Sequence, residues 1–575
     1  MRPQPWPEPS PEIVAAVRAM YAGRDVPLPV QVRDQLGELF ADAEFAEAFG
    51  SRGRPGWSPG RLALVTVLQM AENLTDRQAA DAVRTRIDWK YALGLELADP
   101  GFDASVLSEF RSRVVAHGLE EQALDGLLAA LKGKGLVAAG GRQRTDSTHV
   151  VAAVRDLNRL ELAGESVRAC LEALAVAAPG WLASAVDVAS FSRRYGRRID
   201  SWRLPTSQAN RAELALAYGR DGFALLAAVY ASDAPGWLCA LPATQTLRRV
   251  LLQNYTRATG ADGRELVRWR EAERDGLPPG RLRVSSPYDT DARWAAKGDD
   301  LYWNGYKVHV TETCHTPATG DDTPADADAP PVELPNLITN VATTDASVPD
   351  VAMTTPIHDS LHRRGLAPGE HYADSGYASA ELLVGARASF GVTLVTPVLL
   401  DQSAQARAKA GFAAAAFTID WDHQQATCPQ GRTSSSWSPA TQRGTDAIVV
   451  KFAGTTCRLC PVRGQCTTAK RGGRQLTLHP RPLHAALQHA RAEQHSTDWQ
   501  AKYRLRAGVE GTIRQAVAVT GTRQARYRGL VKTHLEHVYA AVALNLIRLD
   551  AWWNGHPLDR TRTSHLARLE LALAA

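Results

Sequence analysis

The chain has 575 residues, of which 45% are hydrophobic and 22% are charged, an ordinary composition for a globular protein of two to four domains. This composition excludes a disordered, collagen-like or small disulfide-stapled protein. The longest apolar stretch, residues 169–186, is interrupted by Glu172, Pro179 and Gly180, so we expect no membrane span. No secretory signal is visible at the N-terminus, and we therefore expect a cytoplasmic protein.

The net charge of +5 does not by itself indicate a nucleic-acid partner. The basic residues are 56 arginines and ten lysines. The planar guanidinium of arginine suits phosphates and base edges. A GC-rich genome produces the same excess of arginine, and composition alone favours that explanation.

The first 136 residues carry helical patterns. Apolar spacing predicts helices over residues 59–74 and 105–117. Thr75 followed by Gln78 predicts a capping box at the start of a further helix. Short helices with tight connections fit either a helix-turn-helix-like DNA-binding unit or a packing domain with no DNA role, and the sequence leaves both open.

From residue 142 the pattern changes to strands that alternate with helices, which is typical of an α/β core. We predict strands at 142–151, 302–313, 336–343, near 371 and at 392–399, with helices at 349–364 and 379–390. Two insertions interrupt this core: a helical one at 156–284 and another at 401–494. The acidic, proline-rich residues 320–331 are predicted to form a solvated loop.

Two aspartates occupy positions where an ordinary core would not place them. Asp146 lies within a predicted strand, although Asp is depleted in strands. Asp374 directly follows a strand, where α/β sheets commonly present functional groups. An Asx-turn for Asp146 and a helix N-cap for Asp374 are the structural alternatives. Carboxylates remote in sequence are what a two-Mg²⁺ site for phosphodiester chemistry requires.

Glu510 lies on a predicted polar helical stripe. Tyr503, Arg506, Glu510 and Arg514 are spaced three, four and four residues apart, which places them within about 80° of one helical face. An apolar stripe adjoins it, so this face borders the core. Glycines at 508 and 511 each cost about 1 kcal/mol relative to Ala in a helix, which suggests a functional site with close backbone approach. The alternative is an exposed salt-bridge ladder.

Four of the seven cysteines form a C-x28-C-x2-C-x5-C pattern: Cys428, Cys457, Cys460 and Cys466. Such a set can bind one structural zinc ion tetrahedrally, leaving no open position for catalysis. Ordinary buried or reducible thiols are the alternative. The remaining three cysteines are isolated and are predicted to be small core residues.

A basic segment surrounds and follows Glu510. Eight Lys or Arg residues lie between Lys502 and Lys532 against one acid, so we expect a DNA backbone there rather than only a solvated face. Tyr527 adds an aromatic ring for base stacking. An amphipathic helix at 534–553 is predicted to pack against the core. The DNA contacts predicted from this run are Arg514, Arg523, Arg526, Arg528 and Lys532.

The spacing Tyr503-x2-Arg506-x3-Glu510 resembles the signature of DDE transposases of bacterial insertion sequences. Within that superfamily the chain is most similar to the branch numbered eleven-eighty-two. The resemblance is carried by motifs that occur in this order: RTDSTHV, SPYDTDARW, GYKVHVTET, ITNVATT, ADSGY, YRLRAGVEGT and RYRGLVKTHLEHV. The resemblance covers nearly the whole chain. It implies an RNase H-like core in which Asp146, Asp374 and Glu510 bind two Mg²⁺ ions, replaceable by Mn²⁺. It also implies that Tyr503 and Arg506 contact DNA phosphate.

The chain departs from that signature at one position. The family has a Lys seven residues after the Glu, and Val517 stands there. Arg514, one turn earlier on the same face, is placed to substitute for it.

The residues and the resemblance together predict an α/β protein with five parts. These are a helical N-terminal DNA-binding or dimerisation domain (1–137), an RNase H-like catalytic core (138–155, 285–400 and 495–550), a helical insertion (156–284), a zinc-binding insertion (401–494) and a C-terminal tail (551–575).

The predicted function is that of an insertion-sequence transposase. It would bind the terminal inverted repeats of its element, cleave by metal-dependent hydrolysis and join 3′-hydroxyl ends to target DNA, as at least a homodimer. One alternative is a metal-dependent nuclease without strand transfer. Another is a decayed or domesticated copy that only binds DNA, for which the departure at Val517 is the sole support.

Overall fold

The computed structural model describes residues 5–49, 56–259, 265–315, 334–442 and 444–556. The predicted acidic loop and residues 557–575 of the predicted tail lie outside these ranges. In the part of the chain that is described, no helix combines the length and apolarity needed to cross a membrane.

The N-terminal region is helical, as predicted. Thr75 and Gln78 form the expected capping box, in which each residue accepts a hydrogen bond from the other's backbone N–H. A 3-10 helix spans Asp42–Ala48. The α-helices are α1 (Pro11–Met20), α2 (Leu28–Leu36), α3 (Pro59–Ala71), α4 (Asp76–Thr85), α5 (Ile87–Leu93), α6 (Ser105–Ala116) and α7 (Gln122–Gly133).

Strand β1 (Arg142–Val151) is followed by residues 156–284, the predicted helical insertion, in which a hydrophobic cluster of its own forms. The prediction of helix throughout these residues is wrong at one antiparallel strand pair, β2 (Tyr255–Thr259) with β3 (Glu265–Trp269). There Tyr255 and Trp269 pack edge to face at 4.7 Å, which favours paired strands over helix. The elements are α8 (Arg159–Ala177), α9 (Pro179–Ala185), α10 (Val188–Tyr195), α11 (Gln208–Val229), α12 (Pro242–Asn254), β2 (Tyr255–Thr259), β3 (Glu265–Trp269) and α13 (Ala272–Asp275).

A six-stranded mixed sheet forms the centre of the molecule. β1 pairs antiparallel with β5 (Leu301–Thr313), and both β4 (Arg293–Lys297) and β6 (Ile338–Asp345) pair with the other edge of β5. On its other side β1 pairs in parallel with β7 (Glu370–Tyr372), which pairs in parallel with β8 (Thr393–Val395). The α/β prediction is confirmed, although the last strand is shorter than predicted. The further elements are β4 (Arg293–Lys297), β5 (Leu301–Thr313), β6 (Ile338–Asp345), α14 (Thr354–Arg363), β7 (Glu370–Tyr372), α15 (Ala380–Phe390) and β8 (Thr393–Val395).

The segment from 401 to 494, which we call the thiol lobe, combines short strands and helices around a small cluster of its own. That cluster contains six buried hydrophobic residues, with Cys428, Cys457 and Cys466 packed against it. The elements are α16 (Ala404–Ala408), β9 (Thr418–Asp420), β10 (Gln425–Thr427), β11 (Ser436–Gln442), β12 (Thr445–Lys451), α17 (Gly454–Arg458), α18 (Arg463–Cys466), β13 (Gln475–Leu478) and α19 (Arg481–Glu493).

Three helices complete the described chain: α20 (Thr497–Arg504), α21 (Gly508–Thr520) and α22 (Leu530–Trp553). The helix α22 is mostly buried and packs against β6, α3 and α7, as predicted for a helix on the core. The prediction of one continuous helix from Tyr503 to Arg514 is wrong, because a 3-10 turn at Leu505–Ala507 separates α20 from α21. The carbonyl of Leu505 accepts hydrogen bonds from the N–H of Gly508 and from Arg144 Nη1 at 2.8 Å, which tightens the chain there.

Candidate active site

The register of two parallel strands brings Asp146 and Asp374 to the same level of the sheet. β1 and β7 pair with Arg144 opposite Tyr372. Asp146 and Asp374 each lie two residues beyond that pair. Neighbouring parallel strands present equivalent positions at the same edge, so the two aspartates emerge side by side.

Asp146 is held by two hydrogen bonds. Its Oδ1 accepts from the N–H of Ser147 at 2.8 Å, and its Oδ2 accepts from Arg506 Nη2 at 2.7 Å. Burial raises the pKa of Asp146 above its ordinary value and the charge of Asp374 adds to this, although Arg506 and the Ser147 N–H act against it. The side chain is 14% exposed, so this carboxylate faces a partly desolvated site.

Asp374 also has the structural role considered as its alternative. It is the N-cap of a 3-10 turn (Ser375–Tyr377), where its Oδ1 accepts from the N–H of Gly376 at 2.8 Å. A Cβ on Gly376 would lie 2.9 Å from Asp374 Oδ1 and 3.5 Å from Asp350 Oδ2. The missing side chain of Gly376 therefore leaves room for two carboxylates near one point.

Glu510 lies in the first turn of α21, which packs against β1 and β5. Its side chain is 61% exposed, and its Oε1 accepts from Arg506 Nη1 at 2.9 Å. The i,i+4 pair considered as an alternative is thus present. However, Arg506 also binds Asp146, so the pair is part of a contact between the helix and the sheet.

A buried ionic cluster fixes α21 to the sheet. Glu312 of β5 is fully buried, and its carboxylate accepts from Arg144 Nε at 2.7 Å, Arg548 Nη1 at 2.8 Å and Thr512 Oγ1 at 2.5 Å. Burial raises the pKa of Glu312, but the two arginines and the Thr512 hydrogen bond outweigh it and the pKa lies below its ordinary value. Thr512 stands two residues after Glu510, so this cluster sets the position of that acid.

The two glycines of the stripe differ. A Cβ on Gly508 would lie 2.0 Å from Arg144 Nη1, whereas a Cβ on Gly511 would meet nothing within 4 Å. The close backbone approach expected from the sequence is therefore confirmed at Gly508 and absent at Gly511.

Asp146, Asp374 and Glu510 line a single cleft of about 730 Å³, which we call the acid cleft. Arg506, Arg514 and Arg523, three of the predicted DNA contacts, also line it, together with Val517. Arg514 therefore provides a positive charge beside the position where the family has Lys.

Sequence reasoning missed Asp350, Lys297 and Lys307 in the acid cleft. Asp350 accepts from Lys307 Nζ at 3.0 Å and from Ser147 Oγ at 3.3 Å. An acid after Pro349 looks like an ordinary helix start, so Asp350 gave no separate signal. Lys307 could have been noticed as a cation in a strand whose neighbours Tyr306 and Val308 are buried.

Four other predicted DNA contacts are outside the cleft lining, although Tyr503 lies within electrostatic reach of the three acids. Arg526 donates to the carbonyl of Leu74 at 2.8 Å and also bonds Asn73, which ties it to the N-terminal helices. Arg528 and Lys532 are outside the cleft lining, and Arg528 is exposed. Tyr503 stacks on Trp499 with ring centres 4.9 Å apart.

Tyr527, the predicted base-stacking ring, is already in contact with protein. The guanidinium of Arg111 lies 4.7 Å from its ring centre, and the ring packs against the main hydrophobic core. This cation–π contact stabilises the junction with α6 instead of offering a free stacking surface.

The four predicted zinc ligands, Cys428, Cys457, Cys460 and Cys466, are free thiols that line one cavity of about 40 Å³ in the thiol lobe. Burial raises the pKa of Cys466, and the other three cysteines add to this shift, so all four lie within electrostatic reach of one another. A Cβ on Gly473 would lie 2.1 Å from the backbone O of Phe452 and 3.0 Å from Cys457 Sγ, so the Phe452 backbone requires a glycine beside this cluster.

Among the residues that the structure describes, no group of three or more His, Cys, Asp or Glu side chains is arranged to hold a metal ion. In the acid cleft a cause is visible, because the Arg506 guanidinium stands between Asp146 and Glu510. The carboxylates are ligands of the kind that Mg²⁺ prefers, and two of them, Asp146 and Glu510, are already bound to a cation.

Two protein-family models match the chain. Residues 427–550, which include Glu510, Arg506 and the four cysteines, match one described as "Transposase DDE domain". Residues 24–113, which cover α2 to most of α6, match one described as "Transposase domain". Asp146 and Asp374 lie outside both matched segments. No curated protein matches the chain.

Proposed function

The chain belongs to the DDE transposases, and on this premise we propose that it cuts DNA at the ends of an insertion sequence and joins the 3′-hydroxyl ends to target DNA. The observation that carries the proposal is the acid cleft, where three carboxylates remote in sequence line one space with several arginines and lysines. Phosphodiester chemistry requires this combination, because the acids bind the metal ions and the cations bind the phosphates.

We propose that the central sheet is an RNase H-like core. The support is its topology, in which antiparallel β6, β5 and β1 are followed by parallel β7 and β8. Asp146 lies on β1 and Asp374 follows the neighbouring strand β7. Glu510 lies on α21, which packs against β1 and β5.

Asp146, Asp374 and Glu510 would hold two Mg²⁺ ions, with Mn²⁺ as a substitute. When bound, these ions would neutralise charge on the attacking and leaving oxygens of the phosphodiester. Arg514 and Arg523, on the same cleft, would hold the DNA backbone, so binding should weaken as salt rises. Because water and the 3′-hydroxyl serve as nucleophiles, no covalent link between protein and DNA is expected.

A strand-transfer assay with a pre-cut element end tests this function against its alternatives. We expect joined products that require Mg²⁺ and the 3′-hydroxyl. Hydrolysis without joining would favour the metal-dependent nuclease. Metal-independent DNA binding with neither reaction would favour a domesticated DNA-binding derivative.

We propose that the helical N-terminal region recognises the terminal repeats, with the helical insertion assisting synapsis by at least a dimer. The match of residues 24–113 to a transposase domain supports a role separate from the acid cleft. Gel-shift and sedimentation measurements on the full chain, with and without a terminal-repeat duplex, test this. A monomer on DNA would contradict the dimer.

We propose that the thiol lobe holds one structural zinc ion on its four cysteines. The support is that all four line one cavity and that the lobe's hydrophobic cluster is small. Metal analysis of purified protein should find about one zinc per chain, the capacity of a four-thiolate site. Cys460→Ser should lose it, and an unchanged zinc content in this variant would contradict the assignment.

A further inference from the structure

The guanidinium of Arg506 bridges two of the three acids. Its Nη2 lies 2.7 Å from Asp146 Oδ2 on the sheet, and its Nη1 lies 2.9 Å from Glu510 Oε1 on α21. The Arg506 and Asp146 side chains are 16% and 14% exposed, so this half of the bridge is largely shielded from water, whereas Glu510 reaches into solvent. One cation thus connects acids from two different elements.

Other cations of the acid cleft are engaged differently. Lys307 donates to Asp350 and to the carbonyl of Val348, and Arg523 donates to Thr148 Oγ1. Arg514 is exposed on the cleft wall, one turn of α21 beyond Glu510. Arg506 is therefore distinguished by its direct bonds to two proposed metal ligands.

A divalent ion and this guanidinium would compete for the same oxygens. A carboxylate oxygen that accepts from arginine has less electron density to give to a metal. Like charges a few ångströms apart repel each other, and the repulsion from a divalent ion is twice that from a single charge. The two cations would strongly disfavour each other in a partly desolvated site.

We infer that metal loading displaces the Arg506 guanidinium from Asp146 and Glu510, so that arginine and metal are alternative occupants of the acid cleft. This inference rests on the proposed function, since it takes the acids as metal ligands. Arg506 would hold the two acids together until metal arrives. Its planar fork would then be free to donate to a DNA phosphate lining the same cleft. Loading of metal and of DNA should therefore favour each other.

Mn²⁺ titration of the full-length, DNA-free protein by calorimetry tests the displacement. Arg506→Gln removes the competing charge and should bind Mn²⁺ at least about tenfold more tightly than the unmodified protein. Arg514→Gln is the matched control, because it removes one positive charge from the same cleft without breaking a bond to an acid. We expect it to change affinity less than about threefold, the screened effect of a more distant charge.

A second variant separates competition from misfolding. Arg506→Lys keeps the charge but cannot bridge two carboxylates with a planar fork, so its Mn²⁺ affinity should lie between those of the unmodified protein and Arg506→Gln. Circular dichroism of each variant without metal should match that of the unmodified protein.

The outcomes distinguish this inference from the proposed function. Unchanged or weaker Mn²⁺ binding by Arg506→Gln, or an equal gain in Arg514→Gln, would overturn the displacement while leaving the metal site intact. Failure of every protein, including the unmodified one, to bind Mn²⁺ at millimolar concentration would contradict the metal site itself and with it the proposed function.

Discussion

The acid cleft and the thiol lobe bring potential metal ligands together in opposite ways. The acids come from two strands and a helix far apart in the chain, and a central sheet with a large buried core positions them. The four thiols come from one segment, around a cluster of six buried hydrophobic residues. The comparison teaches that a sheet with a large core positions the acids, whereas the lobe has little core with which to hold its thiols in place.

The largest expected effect comes from neutralising the acids. Asp146→Asn, Asp374→Asn and Glu510→Gln should each lower Mg²⁺-dependent cleavage of a terminal-repeat duplex by at least about 10²–10³-fold, since each removes charge that would balance the metal. DNA binding should persist, because the fold and the cleft cations remain.

The matched control for these variants is Glu381→Gln, which changes an exposed acid on α15. It should leave cleavage within twofold. Full cleavage by any of the three acid variants would remove that residue from the site.

Breaking the ionic cluster beneath the acid cleft should strongly lower stability. Glu312→Gln leaves Arg144 and Arg548 buried without their carboxylate, which should cost about 3–5 kcal/mol of unfolding free energy in urea denaturation. Glu109→Gln, at an exposed pair with Arg113, should cost less than about 1 kcal/mol. Similar small losses of unfolding free energy in both variants would show that the Glu312 cluster does not stabilise the acid cleft.

The folding stability of the thiol lobe should depend on its cysteines, whereas that of the acid cleft should not depend on its proposed metal ligands. In the double variant Cys457→Ser, Cys460→Ser, protease cutting within residues 401–494 should accelerate by about tenfold or more, because the lobe loses the metal that we propose stabilises it. Cys239→Ser, which changes a cysteine outside the lobe, should leave cutting unchanged. Full protection of the double variant would mean that the small core suffices.

The smallest effects distinguish the two glycines of α21. Gly508→Ala should lower stability by about 1–3 kcal/mol, because its Cβ would collide with Arg144. Gly511→Ala meets open space and should raise stability by up to about 1 kcal/mol through helix propensity. Thermal denaturation measures both. A gain in both variants would show that Arg144 does not constrain the start of α21.

Local sequence patterns were sufficient to predict much of the fold and several residues of the acid cleft. Three local features of the sequence point to the site: Asp146 lies inside a strand, Asp374 follows a strand, and Arg506 and Glu510 are spaced four residues apart. The structure brings all four residues to one cleft. The alternation of strands and helices was visible for the same reason, since burial imposes its period on the sequence.

What sequence reasoning missed depends on remote partners. The 3-10 break before Gly508 follows from Arg144, which reaches the Leu505 carbonyl from β1. Arg526 and Tyr527 looked like DNA contacts within a basic run, but their partners come from the N-terminal helices, which no local pattern indicates.

The most direct test of the central claim is iron-directed cleavage of the protein backbone. Fe²⁺ loaded in place of Mg²⁺, with ascorbate and peroxide, generates hydroxyl radicals that cut the chain beside the bound ion. The account predicts cuts near residues 146, 374 and 510 together, all suppressed by excess Mg²⁺. Cuts near only one of these positions, or none that Mg²⁺ suppresses, would contradict a shared metal site.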